Sequence, residues 1–121
     1  MSFDVISLDH VQLAMPSGRE AEAESFYSGI LGLERIAKPS ALAGRGGCWF
    51  RKGAVQIHLG VEADFRPARK AHPALVVVGF DSLCAKLTTS GLSVRPDDGV
   101  PGVRRCFVED PFGNRLELIE G

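Results

Sequence analysis

Apolar and polar residues alternate along several short stretches of this chain, and between them apolar residues recur at helical spacing. Leu8-Asp9-His10-Val11-Gln12-Leu13 alternates and predicts a strand. Ala21, Phe26 and Ile30 share one helical face and predict a helix from Arg19 to Leu31, with Gly32 as its stop. A weaker strand is expected near Glu34 to Ala37. The Gly-rich turn Arg45-Gly46-Gly47 leads into Cys48-Trp49-Phe50, and Lys52-Gly53 turns the chain into Ala54-Val55-Gln56-Ile57-His58-Leu59.

The same order then returns. His72 to Val78 predicts a strand, Asp81 an N-cap, Ser82 to Ser90 a helix, and Gly91 its stop. A weak strand near Ser93 to Arg95 precedes Cys106-Phe107-Val108, which matches Cys48-Trp49-Phe50. The turn Asp110-Pro111-Phe112-Gly113-Asn114 opens the last strand, Arg115 to Ile119. The repeat divides a single domain, residues 1–121, into a first module at about 5–61, a polar linker at about 62–71 and a second module at about 72–121. Each module reads strand–helix–strand–strand–strand. One such unit cannot bury both faces of its sheet; two side by side can, with helices on one face and a cavity on the other. The expected fold is therefore α+β, two tandem βαβββ modules forming a cupped mixed sheet with the helices outside.

Superposing the halves places His10 over His72 and His58 over Glu117. The chain holds three histidines, and all three fall on these equivalent positions. Neighbours on a strand face opposite sides, so Val11, Leu13, Ile57, Leu59, Leu75, Val77, Leu116 and Leu118 pack under the helices, and the four polar side chains point into the cavity. Gln12, Gln56 and Arg115 share that inner face; Trp49 and Phe50 are candidates for an apolar pocket wall or for the core. A lone strand histidine is usually a partly buried polar residue with a hydrogen-bond partner. Three at matched positions with a carboxylate at the fourth point instead to one divalent ion (zinc, nickel, iron or manganese), because imidazole nitrogen and carboxylate oxygen suit a borderline cation.

Composition narrows the field. Fourteen basic against fifteen acidic residues leave a net charge of −1, without the basic excess that nucleic-acid binding needs. Arg66, Arg69 and Lys70 form the densest basic group and read as solvated linker. No apolar stretch is long enough to span a bilayer, and the start lacks the blocks of a secretory signal. Cys48, Cys84 and Cys106 have no paired spacing and read as reduced thiols in a cytoplasmic protein, the matched Cys48 and Cys106 as core fillers. Tyr27 reads as helix packing.

Leu8-Asp9-His10-Val11, the segment Phe26-Tyr27 through Ile30-Leu31-Gly32-Leu33, and the closing Asp110 to Leu118 make the chain resemble the vicinal oxygen chelate superfamily: glyoxalase I, fosfomycin-resistance proteins, extradiol dioxygenases and bleomycin-resistance proteins. The resemblance implies paired βαβββ modules, a homodimer with shared cavities, and metal ligands at His10, His58, His72 and Glu117. It further implies a small substrate bound through neighbouring oxygens, with the metal stabilising an enediolate or oxyanion. Glu117 is the candidate base, with a purely structural ligand role as the alternative. His58 departs from the Glu or Gln usual in glyoxalase I. Ala14 and Glu62 stand where bacterial glyoxalase I carries glutathione-binding Arg and Asn, which speaks against glutathione-bound methylglyoxal. Four protein ligands on an octahedral ion leave two open positions, which suits lyase or isomerase chemistry better than a dioxygenase that must also bind O₂. A metal-independent drug-binding protein and a fosfomycin-type thiol transferase are the other expectations.

Overall fold

A computed structural model describes residues 2–121. Eight strands and two α-helices follow in order: β1 (Val11–Met15), α1 (Glu20–Tyr27), β2 (Glu34–Ile36), β3 (Cys48–Lys52), β4 (Val55–Val61), β5 (Ala74–Val77), α2 (Phe80–Thr89), β6 (Arg95–Asp97), β7 (Arg105–Glu109) and β8 (Arg115–Glu120). Two four-stranded mixed sheets result, ordered β1-β4-β3-β2 and β5-β8-β7-β6. Under the repeat the two orders are identical, each with one parallel pair and two antiparallel ones. The two-module reading and its α+β class therefore hold. No helix among the described residues is long and apolar enough to cross a membrane.

Alternation sorts the side chains as expected. Met15, Cys48, Phe50, Ile57 and Leu59 of the first sheet, and Cys106, Val108, Leu116 and Leu118 of the second, join Phe26, Tyr27 and Leu87 of the helices in one buried core. Gly47, at φ +80°, enters β3 so close to β4 that a Cβ would lie 2.1 Å from the Leu59 carbonyl oxygen, so the approach requires glycine.

Several boundaries differ from expectation. The first helix ends at Tyr27 instead of Leu31, because Gly29 N–H donates to Glu24 O and Leu31 N–H to Phe26 O, both reaching back five residues and widening the turn. The second helix starts at Phe80, capped by Gly79 in the left-handed region (φ +78°). Asp81 is thus no cap; it lies in the first turn, favourable for a carboxylate, and pairs with Arg104. The strands expected from Leu8 and His72 begin only at Val11 and Ala74, so both histidines stand just before their strands.

The modules are fastened by the closing turn. Asp110 Oδ1 accepts from the backbone N–H of Phe112 (2.8 Å) and Asn114 (2.9 Å), while Oδ2 accepts from Tyr27 Oη of α1 (2.7 Å) and Asn114 Nδ2 (2.9 Å). Asn114 Nδ2 also donates to the Ala14 carbonyl of β1 at 2.8 Å. Burial and the neighbouring Asp110 carboxylate both push the Tyr27 phenol well above its ordinary value, so it serves as a fixed donor.

Candidate metal centre

Register carries the repeat into the site. In the first sheet Gln12 pairs with His58 and Trp49 pairs with His58; in the second, Ala74 pairs with Glu117 and Phe107 pairs with Glu117. His58 and Glu117 therefore occupy the same place in their sheets, each beside an aromatic residue of the neighbouring strand. Both are buried, at 4 % and 7 % exposure.

The second module's inner face holds a charged cluster. His72 Nε2 lies 2.9 Å from Glu117 Oε1, and His72 Nδ1 lies 2.7 Å from the Lys70 carbonyl oxygen. A carbonyl oxygen and an ionised carboxylate can each only accept, so in these contacts Nδ1 donates to Lys70 and Nε2 donates to Glu117. Arg105 Nη1 donates to Glu117 Oε2 at 3.1 Å, and Arg105 Nη2 donates to Asp97 Oδ1 at 3.0 Å. The His72 hydrogen bond above all, and Arg105 after it, outweigh burial and hold the Glu117 carboxyl below its usual range. Phe107 forms the floor: the His72 ring meets it edge-on at 5.3 Å, with the Arg105 and Arg115 guanidiniums 5.4 and 4.2 Å from its centroid.

The first module's inner face is a stack of rings. His58 lies flat against Trp49 (3.8 Å, 4° between planes) on one side and His10 (4.1 Å, 17°) on the other. Gln56 Oε1 is 3.2 Å from His58 Nε2, and Asp9 Oδ2 is 2.8 Å from His10 Nδ1. Burial, then the neighbouring His10, lowers the His58 pKa. An imidazole binds a metal in its own ring plane, and two nearly parallel planes about 4 Å apart do not meet at a common bonding distance.

The four sequence-selected residues thus gather as two pairs, and among the described residues no three His, Cys, Asp or Glu side chains come close enough to hold a metal ion within one chain. The second pair fits a cation better: imidazole nitrogen and carboxylate oxygen face each other, and Lys70 and Arg105 orient them from outside, the arrangement that tunes metal ligands. Trp49 and Gln56 lie on the inner face beside His58. Gln12 points across Gly60, and Arg115 lies over Phe107. Phe50 does not line a pocket; fully buried, it stacks on Tyr27 at 5.3 Å on the helix side, as its parity opposite Trp49 requires. Arg105 and Asp97 were missed, although Arg105 sits two residues before Phe107 and hence on the same face. The strand holding Asp97 was too short and too interrupted by proline to be read clearly.

The fold is thus that of two matched βαβββ modules, each presenting polar side chains on its inner face. The sequence model of the Glyoxalase/Bleomycin resistance protein/Dioxygenase superfamily matches residues 7–118, and the chain belongs to that superfamily. Among solved structures it is similar to a glyoxalase family protein from Bacillus anthracis, at 46 % identity and TM-score 0.95, covering 100 % of this chain and 99 % of that one. It shares its fold with the fosfomycin resistance protein FosX from Listeria monocytogenes (16 % identity, TM-score 0.77, 98 % and 95 % covered). The same holds for lactoylglutathione lyase from Agrobacterium tumefaciens (19 %, TM-score 0.64, 91 % of each). A comparison with curated proteins finds no match.

Proposed function

We propose that the protein is a metal-dependent glyoxalase-like enzyme, a lyase or isomerase, that acts as a homodimer on a small substrate with neighbouring oxygens. The observation that carries this reading is the His72–Glu117 pair at 2.9 Å, with each group oriented from behind. His72 and Glu117 of one chain would hold a divalent ion together with His10 of the partner subunit, and the partner's His58 would join them only by leaving its ring stack. Exposed apolar residues support a second copy: Phe3, Val5, Ile6 and Leu8 lead into His10, and Val76 and Val78 project from β5 and the segment after it, with Phe3 92 % exposed.

When bound, the ion supplies Lewis acidity toward two adjacent substrate oxygens. The protein's own contribution is orientation and proton handling. Arg105 keeps Glu117 ionised and fixes Oε2, which leaves Oε1 as the oxygen able to leave His72 and take a proton from substrate carbon. The depressed pKa keeps that carboxylate ionised and makes it a weak base, so Glu117 acts as base only after its partners loosen. Trp49 and Phe107 supply apolar walls that keep water from the reacting carbons.

Complementation tests the shared site. His10→Ala and Glu117→Gln homodimers should each lose metal, measured by elemental analysis after dialysis. Mixed in equal amounts and refolded after mild unfolding, they should regain about a quarter of it, since about half of the re-formed dimers are heterodimers and one of the two composite sites in each is intact. Full metal retention in both homodimers, or no recovery on mixing, would sink the reading. The Trp49–His58–His10 stack also favours a second reading, a metal-independent binder of flat aromatic compounds. Thermal stabilisation by such compounds that chelator leaves unchanged would select it.

A further inference from the structure

The linker is exposed, as expected, apart from the half-buried Phe65. It folds back so that Arg66 and Arg69 share a cavity of about 810 Å³ with Arg95 of β6 and Arg115 of β8. Glu109 is the one carboxylate on that wall, against four guanidiniums. Among the described residues none of the four forms an ion pair, whereas Arg19, Arg35, Arg104 and Arg105 all do. Even Glu109, which pairs with Arg115 across the β7–β8 register, makes no ion pair with it.

Arg115 is the best-placed of the four. Its guanidinium lies 4.2 Å from the Phe107 centroid, its Nη1 reaches the Arg69 carbonyl oxygen at 3.4 Å, and its Nε is buried with no partner. A guanidinium pinned on an aromatic ring loses little freedom on binding, and a buried N–H without an acceptor is relieved by any oxygen brought to it. Arg115 also stands two residues before Glu117 on the same face of β8. We propose that this cavity is an oxyanion subsite: it takes the carboxylate, phosphoryl or phosphonyl group of a small substrate, held chiefly by Arg115 and Arg95, with Arg66 and Arg69 closing over it. The placement of the substrate's remaining oxygens near His72 and Glu117 rests on the proposed function above; the anion site does not. A small molecule fits better than a polyanion, because the guanidiniums converge on one cavity and the chain as a whole carries a net charge of −1.

Calorimetric titration of the full chain, metal-loaded and chelator-treated, with inorganic phosphate, methylphosphonate and acetate at fixed low ionic strength tests this. At least one probe should bind saturably in both states. Affinity should fall about tenfold in Arg115→Gln and several-fold in Arg95→Gln, with partial recovery in Arg115→Lys. Arg51→Gln, on β3 of the other module, should change nothing. The ranking of probes distinguishes a phosphorus oxyanion from a carboxylate. Absence of saturable binding by all three, or equal affinity in Arg115→Gln, overturns the proposal. If that variant misfolds, the exposed pair Arg69→Gln/Arg95→Gln decides by the same criterion. Metal content serves as the control: anion binding lost with metal retained separates this subsite from the metal reading.

Discussion

The two cups are built on one strand order and one register yet hold opposite kinds of chemistry. Trp49 and Phe107 occupy matched places, as do His58 and Glu117, and Gln56 and Arg115. In the first cup these positions produce a ring stack with an amide at its edge. In the second they produce a buried carboxylate among a histidine and several guanidiniums. The backbone repeat therefore fixes where a side chain points, while residue identity alone decides whether the site is stacked or ionic. Among the described residues, neither cup by itself brings three metal-ligating side chains together.

The largest effect should come from cutting the tie between the cups. Asp110→Ala leaves the Tyr27 hydroxyl, two backbone N–H groups and part of the Asn114 amide without their acceptor, and should cost about 4 kcal/mol in urea unfolding. A loss below about 1 kcal/mol would mean that the modules hold together without the knot.

Next come the ligand pairs. Glu117→Gln or His72→Ala should weaken metal binding by about a hundredfold or more, whereas His58→Ala should cost roughly tenfold, because its ring is engaged in stacking. Equal losses, read by competition with a chromogenic chelator, would show that His58 leaves the stack to become a full ligand.

The ring contribution is of similar size and is read as stability. Trp49→Ala removes a partly exposed stacking partner and should destabilise by about 1–2 kcal/mol, less than Phe107→Ala at about 3 kcal/mol, since Phe107 is buried beneath its cations. The reverse order in paired melting curves would contradict the picture of Phe107 as a packed floor.

The mildest prediction separates the cups by pH. The His58 pKa is lowered in the fold from 6.5, so its contribution is present above that value and is lost as pH falls through the folded one. Glu117 is lowered from 4.5, so its contribution is present above 4.5 and disappears only in more acid solution. NMR titration of the metal-free protein should show the first cup's ring signals changing before the Glu117 carboxyl does. In thermal melts the gap between wild type and Glu117→Gln should close only below pH 4.5. A gap that closes near neutrality would place the sensitivity elsewhere.

Most of the fold was legible because strand alternation and glycine stops are local. The parity that puts Leu116 and Leu118 inward also exposes Glu117 and Arg115 to the cup. Boundaries were less legible: the widened turn after Tyr27 and the left-handed Gly79 depend on how the chain is received by its neighbours. Asp81 has the chemistry of a cap, but Arg104, twenty-three residues away, claims it.

Sequence by itself determined the repeat, the two equivalent modules, and the four matched positions of nitrogen and oxygen donors, since each follows from local spacing along the chain. Tertiary structure decided the rest. It paired His10 with His58 and His72 with Glu117, brought Arg105 to Glu117 and the linker arginines to Arg95 and Arg115, and made the Asp110 turn a fastener to Tyr27 and Ala14. Those contacts join residues far apart in the chain, and their energies come from burial and charge at close range, which no local pattern encodes.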